Sequence, residues 1–136
     1  MNTNHFIAFI IGCILLISGC SGNGVNNPIT DLTGTWTGMG TLSFSLEGET
    51  VTGIVSGVIT LTPIATDVYR YEFTMTALIE SQETTTRSTG TLTNQSGVLY
   101  DDVGDRIGTA HDNTIEWNES LQYGDILATV RANFYR

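Results

Sequence analysis

Apolar and polar residues alternate with a period of two along most of the chain beyond Asp31. In residues 34–46 the even positions are Trp, Gly, Leu and Phe, whereas the odd positions are Thr or Ser apart from Met39. In residues 69–80 the odd positions are all aromatic, aliphatic or Met. Because successive side chains of a β-strand point to opposite faces, this period predicts strands with one buried face.

Gly, Asn and Asp residues separate further segments of the same kind, and no segment has a helical period. The predicted strands cover residues 34–46, 50–62, 69–80, 82–93, 98–100, 106–110, 113–121 and 126–135. Pro63 is expected to end the second strand. Seven or eight strands joined by short turns predict an all-β fold, an antiparallel meander that closes into a barrel, because closure removes the exposed edge strands.

The first predicted strand begins with the sequence Leu-Thr-Gly-Thr-Trp at residues 32–36. This resembles the Gly-x-Trp start of the lipocalin and avidin barrels, and the resemblance implies a lipocalin-like barrel. It also implies that Trp36 lies near one end, beside an Arg from the last strand, for which Arg131 and Arg136 are the candidates. The C-terminal helix of ordinary lipocalins and the biotin-holding residues of avidin are not recognisable, so biotin binding is not carried over.

The N-terminus has the character of an export signal. Residues 6–17 form an apolar run interrupted only by Gly12 and Cys13. The run is shorter than the roughly 20 residues that a membrane-spanning helix needs, and it suits the hydrophobic region of a signal peptide. It ends in the sequence Leu-Ile-Ser-Gly-Cys at residues 16–20, which resembles the bacterial lipobox. The resemblance implies cleavage before Cys20 and acylation of its thiol.

The charge of the leader departs from the usual lipoprotein pattern. Residues 1–5 hold no Lys or Arg, so the positive charge rests on the α-amino group and partly on His5. A plain secretory signal and an uncleaved anchor, each with Cys20 incidental, remain the alternatives. The resemblance implies two or three acyl chains, such as palmitate, and two or more chains give stable anchoring. Ser21, rather than Asp, follows the cysteine, which implies the outer membrane if the source is Gram-negative.

The chain therefore divides into three parts. Residues 1–19 are the predicted lipoprotein signal peptide, residues 20–30 the lipidated cysteine and a flexible tether, and residues 31–136 the β-barrel domain. The tether is predicted from its Gly, Asn and Ser content. The expected location is the cell envelope, where the lipid anchors the protein to the membrane.

Charge and cysteine content exclude several classes of function. The chain has 14 acidic and 5 basic residues, a net charge of −9, and every basic residue is Arg. Nucleic-acid binding and polybasic attachment to anionic lipid are not expected, because both need clustered cations. Cys13 would leave with the leader and Cys20 would be acylated, so disulfides, thiolate metal sites and a cysteine nucleophile are excluded.

Few residues suggest chemistry. His111 is the single histidine beyond the leader, and it is expected in an exposed loop without a nucleophile setting or a second zinc ligand. Asp101, Asp102 and Asp105 are a candidate Ca²⁺ cluster, although a solvated turn is favoured. Glu116 and Glu119 would lie on opposite faces of a strand, so they cannot act as a glycosidase pair. No catalytic residue and no cofactor is predicted.

Five aromatic residues either line a ligand cavity or fill the barrel, and a filled core is favoured. They are Trp36, Tyr69, Tyr71, Phe73 and Trp117. The expected function is a lipid-anchored, non-enzymatic binding or interaction module for a small apolar ligand or an envelope protein. The alternative is a structural or accessory subunit of an envelope assembly, or an inhibitor of a secreted enzyme, and an enzyme comes third.

Overall fold

The computed structural model of the protein describes residues 27–123 and 126–136. In chain order the strands are β1 (Gly34–Leu46), β2 (Glu49–Ala65), β3 (Val68–Ile79), β4 (Gln82–Gln95), β5 (Val98–Tyr100), β6 (Arg106–His111), β7 (Thr114–Tyr123) and β8 (Ile126–Tyr135). Within the described residues, no helix is long and apolar enough to cross a membrane.

The strands form one closed barrel. Each strand pairs antiparallel with the next one along the chain, and β8 pairs with β1. This last seam runs from the pair Thr37 and Tyr135 to the pair Phe44 and Ala128. The prediction of an all-β antiparallel meander that closes into a barrel is therefore confirmed, with eight strands in the described part of the chain.

The prediction that Pro63 ends the second strand is wrong. β2 continues to Ala65, and its pairing with β3 shifts register between Pro63 and Ala65. On its other side, the pairing of β2 with β1 stops at Leu61, opposite Gly34. Pro63 lies beyond the end of β1, so its missing backbone N–H removes no hydrogen bond to that strand.

The inward faces of the strands form the hydrophobic core. Its largest fully buried side chains are Trp36, Trp117, Phe134, Leu32, Ile59, Leu61, Leu92, Leu99, Ile115, Val55 and Val130. Burying one such side chain stabilises the fold by about 1.5–3 kcal/mol relative to leaving it exposed. The core is therefore held by the apolar positions that the period-two pattern placed on one face of each strand.

Residues 27–33 lie at one end of the barrel, where the turns β2–β3, β4–β5 and β6–β7 also lie; we call this the closed end. Ile29 donates its backbone N–H to the carbonyl of Ala110 at 3.1 Å, and Asp112 donates to the carbonyl of Asn27 at 3.2 Å. Residues 27–30, which the sequence assigned to the flexible tether, are thus hydrogen-bonded to the barrel.

Asn94 binds residues 27–33 to the barrel through its side chain. The sequence placed it in a turn, but it lies within β4 and is the buried polar residue of the described core. Its side-chain amide donates to the carbonyl of Ile29 at 2.8 Å, and its side-chain oxygen accepts from the backbone N–H of Gly97 at 2.9 Å. Both polar ends of the buried side chain are satisfied, which offsets the cost of desolvating them.

Trp36 and Arg136 complete the closed end. The Trp36 indole donates to the carbonyl of Leu32 at 2.9 Å, and the Arg136 guanidinium carbon lies 4.5 Å from the centroid of the Trp36 ring. The guanidinium also donates to the carbonyls of Thr33 and Asp31 at 3.2 and 2.9 Å. Arg136 therefore supplies the cation expected beside Trp36 near one end of the barrel.

The barrel is shorter on the side formed by β5 and β6, because these two strands are short. β4 pairs with β5 only through residues 93–95, so residues 82–92 of β4 pair with β3 alone. β6 pairs with β7 only as far as Trp117, and beyond this residue β7 continues along β8. The edge of β4 at residues 82–92 thus has no neighbouring strand among the described residues, at the end of the barrel opposite to the closed end. We call this the open end.

Candidate functional site

A cavity of about 120 Å³ lies inside the barrel toward its open end. The residues that line it come from β3, β4, β7 and β8, and they are Tyr71, Phe73, Met75, Thr86, Ser88, Glu119 and Val130. Met75 and Val130 are apolar, whereas Thr86, Ser88 and Glu119 supply oxygen atoms. The cavity therefore combines an apolar wall with a small set of polar groups, which is the usual make-up of a binding site.

Glu119 faces the barrel interior because of its place in β7. Trp117 pairs with Ala132, and Glu119 pairs two positions on with Val130, so these side chains share the inward face. The indole N–H of Trp117 donates to Glu119 Oε2 at 3.0 Å. A carboxylate on an otherwise apolar face is thereby held in position by a charge-assisted hydrogen bond.

The surroundings of Glu119 change its acidity. Burial raises the pKa of the Glu119 carboxyl above its ordinary value of 4.5, the hydrogen bond from Trp117 lowers it, and the charge of Asp101 raises it further. Because the net shift is upward, desolvation of the charged form outweighs the hydrogen bond that stabilises it. The hydrogen bond from Trp117 therefore offsets only part of the desolvation of the Glu119 carboxylate.

Three aromatic rings lie around this carboxylate. The centroid of the Trp117 ring lies 5.6 Å from those of Tyr71 and Phe73, edge-on to the first and tilted to the second. The Tyr71 ring lies across Gly90 of β4, where an added Cβ would approach the ring carbon Cζ to 2.6 Å. Burial raises the pKa of Tyr71, and the charge of Glu119 adds to this effect. Tyr71 therefore stays protonated beside the carboxylate.

The structure divides the five predicted aromatic residues into two groups. Trp36 and Tyr69 belong to the closed end, where the Tyr69 hydroxyl accepts from the backbone N–H of Leu32 at 3.3 Å. Tyr71 and Phe73 line the cavity, and Trp117 lies buried behind them. The barrel is thus filled at one end and hollow at the other. Cys20, the predicted lipidation site, lies outside the described residues.

The acidic cluster forms an ordered loop between β5 and β6. Asp101 Oδ1 accepts backbone N–H groups from Val103 at 3.1 Å and from Asp105 at 2.7 Å. The Asp101 carboxylate therefore fixes the shape of its own loop. In residues 27–123 and 126–136, no group of three or more His, Cys, Asp or Glu side chains is placed to hold a metal ion.

The expectation that His111 is an exposed loop residue is wrong. His111 is the last residue of β6, and its side chain is only 22% exposed. Its Nε2 lies 3.2 Å from Glu116 Oε1, and its Nδ1 lies 3.5 Å from Asp112 Oδ2 without making a hydrogen bond in the described structure. The turn that follows consists of Asp112 and Asn113, both with positive φ, so the chain reverses one residue later than expected.

Glu116 and Glu119 lie on opposite faces of β7, as the sequence predicted. Glu116 is exposed on the outer face, where the Thr109 hydroxyl donates to its Oε2 at 3.3 Å. The outer face also has a depression of about 410 Å³ that Glu116 lines together with Met39 and Arg131. This depression lies on the polar side of the strands and is open to solvent, so the inner cavity remains the better candidate site.

Comparison with known proteins finds no matching family model, no similar curated protein and no similar solved structure. The functional assignment therefore depends on the geometry of the chain itself.

We expect replacement of Glu119 by Gln to change how stability depends on pH. A group whose pKa is raised by folding stabilises the fold in its protonated form, and this contribution is lost as the pH rises from the unfolded pKa to the folded one. Wild-type protein should therefore lose stability relative to Glu119→Gln as the pH rises from 4.5 toward neutrality. Urea unfolding of both proteins across this range measures the difference.

The matched control is Glu72→Gln, which makes the same change of charge at an exposed position of β3. The difference from wild type in the free energy of unfolding should vary more with pH for Glu119→Gln than for this control. A constant difference between wild type and Glu119→Gln over the whole range would show that folding does not disfavour the Glu119 carboxylate.

Proposed function

We propose that this chain is a lipid-anchored protein of the cell envelope that acts as a non-enzymatic binding module. The observation that carries the proposal is the cavity at the open end, where the inward carboxylate of Glu119 lies among Tyr71, Phe73 and Trp117. A cavity with an aromatic wall and a few convergent polar groups is suited to hold one chemical group in one orientation.

The two ends of the barrel fit this role. The chain enters the barrel at the closed end, where Asn27 lies beside Asp112. Cys20 precedes Asn27 by seven residues in the sequence. An acylated Cys20 would thus hold the closed end toward the bilayer and leave the cavity facing away from it. Partners of the envelope would have access to the cavity from that side.

The polar groups around the cavity favour binding over catalysis. Glu119 is the one carboxylate among the described residues that line it, and Glu116 lies on the opposite face of the same strand. Glycoside hydrolysis needs a second carboxyl group positioned across the scissile bond. His111 forms a β-bridge with Pro28 at the closed end, and its Nε2 lies 3.2 Å from Glu116 Oε1 on the outer face, so it lies far along the barrel from the cavity.

A second candidate is protein contact through the outer face. Met39, Ile54, Val58 and Leu78 are exposed on β1, β2 and β3, and Ile54 lies directly opposite Leu78. Apolar side chains gathered on an exposed surface are typical of interaction sites. This observation favours the accessory-subunit role, in which the barrel is one component of an envelope assembly.

The anchor is tested by replacement of Cys20 with Ser. We expect wild-type protein to stay with the membrane fraction after a salt wash, and Cys20→Ser to appear in the soluble exported fraction. Intact-mass measurement should show wild type without residues 1–19 and with two or three acyl chains. Wild type that retains Met1, or that carries no acyl group, would contradict the anchored location.

The binding role is tested by native mass spectrometry of protein purified from the source envelope. Ser88→Trp fills the cavity from β4, and Leu78→Asp places a charge on the outer apolar surface. A companion molecule that wild type retains and Ser88→Trp loses supports binding in the cavity. Loss in Leu78→Asp alone supports the accessory-subunit role. Absence of any companion from wild type would contradict both.

A further inference from the structure

The volume of the cavity restricts what it can hold. At about 120 Å³ it is smaller than the roughly 300–1,000 Å³ of pockets that take whole small-molecule ligands. An apolar cavity of about 150 Å³ holds a benzene molecule. The cavity is therefore the right size for a single group of a few heavy atoms, such as the end of one amino-acid side chain.

The charge of the cavity selects the kind of group. No Arg forms an ion pair with Glu119 among residues 27–123 and 126–136. Asp101 and Asp102 on the neighbouring loop contribute further negative potential at Tyr71. A partly buried carboxylate without a counter-ion favours a cationic partner, and aromatic faces attract organic cations. The complementary group is therefore an alkylammonium or a guanidinium.

The backbone beside the cavity indicates how that group arrives. Thr86 and Ser88 line the cavity, and both belong to residues 82–92 of β4, which have β3 on one side and no partner on the other among the described residues. An unpaired strand edge presents backbone N–H and C=O groups that an extended polypeptide can pair with. A side chain of such a polypeptide would point across the edge into the barrel.

We propose that the cavity binds the alkylammonium or guanidinium group of a basic side chain, presented by an extended polypeptide segment that pairs with the free edge of β4. The segment adds a strand beside residues 82–92, and its Lys or Arg side chain reaches the Glu119 carboxylate between Tyr71 and Phe73. This inference deepens the proposed binding function and depends on it. The acidic surface of the barrel, with its net charge of −9, attracts such a segment.

Calorimetric titration of the full chain in a non-ionic detergent tests the proposal. The probe is the capped peptide acetyl-Thr-Val-Lys-Val-Thr-amide, in which Lys is flanked by residues that favour extended structure. We expect the peptide to bind at least tenfold more tightly than the same peptide with norleucine in place of Lys. A version with N-methylated backbone amides, which cannot donate to β4, should also bind at least tenfold more weakly.

Three protein variants locate the site. Glu119→Gln removes the inward carboxylate and should weaken binding of the Lys peptide at least tenfold. Glu116→Gln removes the same charge from the outer face of the same strand and should change binding less than about twofold. Ser88→Trp fills the cavity while Glu119 remains, and it should abolish binding of the Lys peptide. This variant tests the cavity without a change of charge, so it separates occupancy of the cavity from an indirect effect of removing the Glu119 charge.

Several results would overturn the proposal. These are equal binding of the Lys and norleucine peptides, equal binding to wild type and Glu119→Gln, or binding of free n-butylamine as tight as that of the peptide. The last result would assign the cavity to a free amine and not to a polypeptide. If wild type retains a cavity-dependent companion from the envelope but does not bind the peptide, the proposed binding function stands and this inference fails.

Discussion

Replacement of Trp36 by Ala is expected to lower the free energy of unfolding by about 3–5 kcal/mol. Trp36 is fully buried at the closed end, its indole donates to Leu32, and its ring lies under the Arg136 guanidinium. The substitution leaves a large cavity and removes the cation–π contact. It also leaves the carbonyl of Leu32 without its indole donor. Urea unfolding followed by far-ultraviolet circular dichroism measures the loss.

Two further variants separate the causes of this effect. Trp36→Phe keeps an aromatic ring and removes the indole N–H, so the expected loss is smaller, about 1–3 kcal/mol. Met39→Ala truncates a side chain of the same strand that is 65% exposed, and it should change stability by less than about 0.5 kcal/mol. A loss for Trp36→Ala no larger than that for Met39→Ala would contradict the role of Trp36 in the core.

The division of the barrel into a filled end and a hollow end connects stability with function. The closed end holds the fully buried ring of Trp36 and fixes the incoming chain through Asn94 and Arg136. The open end leaves the carboxylate of Glu119 partly desolvated, which costs stability. Such a cost is typical of binding sites, because the unfavourable environment is relieved when the ligand arrives.

Most of the fold is visible in the sequence because a strand exposes its two faces at alternate positions. This rule placed Trp36, Tyr71 and Phe73 on inward faces and separated Glu116 from Glu119. The same rule could have identified the site, since Glu119 shares its face with Trp117. The spacing of Glu116 and Glu119 by itself excluded only a glycosidase pair, because the surroundings of the inward carboxylate come from β3, β4 and β8.

Other features depend on how neighbouring strands pair, and the sequence pattern of a single strand does not carry this information. Pro63 fits inside β2 because β1 has already ended beside it. Asn94 is buried because residues 27–30 fold back onto the barrel and bring Ile29 to its side chain. The cavity exists because β5 and β6 are too short to cover β4. Each of these outcomes requires the register of a neighbour as well as the local sequence.

Gly40→Ala is expected to destabilise the seam between β1 and β8, although Ala normally favours a strand more than Gly does. In an ordinary strand position this change would raise stability by about 0.5–1 kcal/mol. Here a Cβ at Gly40 would lie 1.9 Å from the carbonyl oxygen of Arg131 and 2.5 Å from Cα of Ala132. Both are backbone atoms, so the strands must separate to relieve the overlap. We expect a loss of about 1–3 kcal/mol.

The sign of the change in stability shows which effect is larger, the preference of a strand for Ala over Gly or the overlap of the added Cβ with β8. Gly38 has the same close approach, 2.0 Å to the carbonyl oxygen of Asn133, so Gly38→Ala should behave alike. Thr41→Ala, at the neighbouring outward position of β1, is the control. Hydrogen–deuterium exchange should show faster exchange in β1 and β8 of the glycine variants and little change where β2 pairs with β3. A gain in stability for Gly40→Ala would mean that β1 and β8 lie farther apart than this barrel has them, and the closure on which the hollow end depends would then have a different geometry.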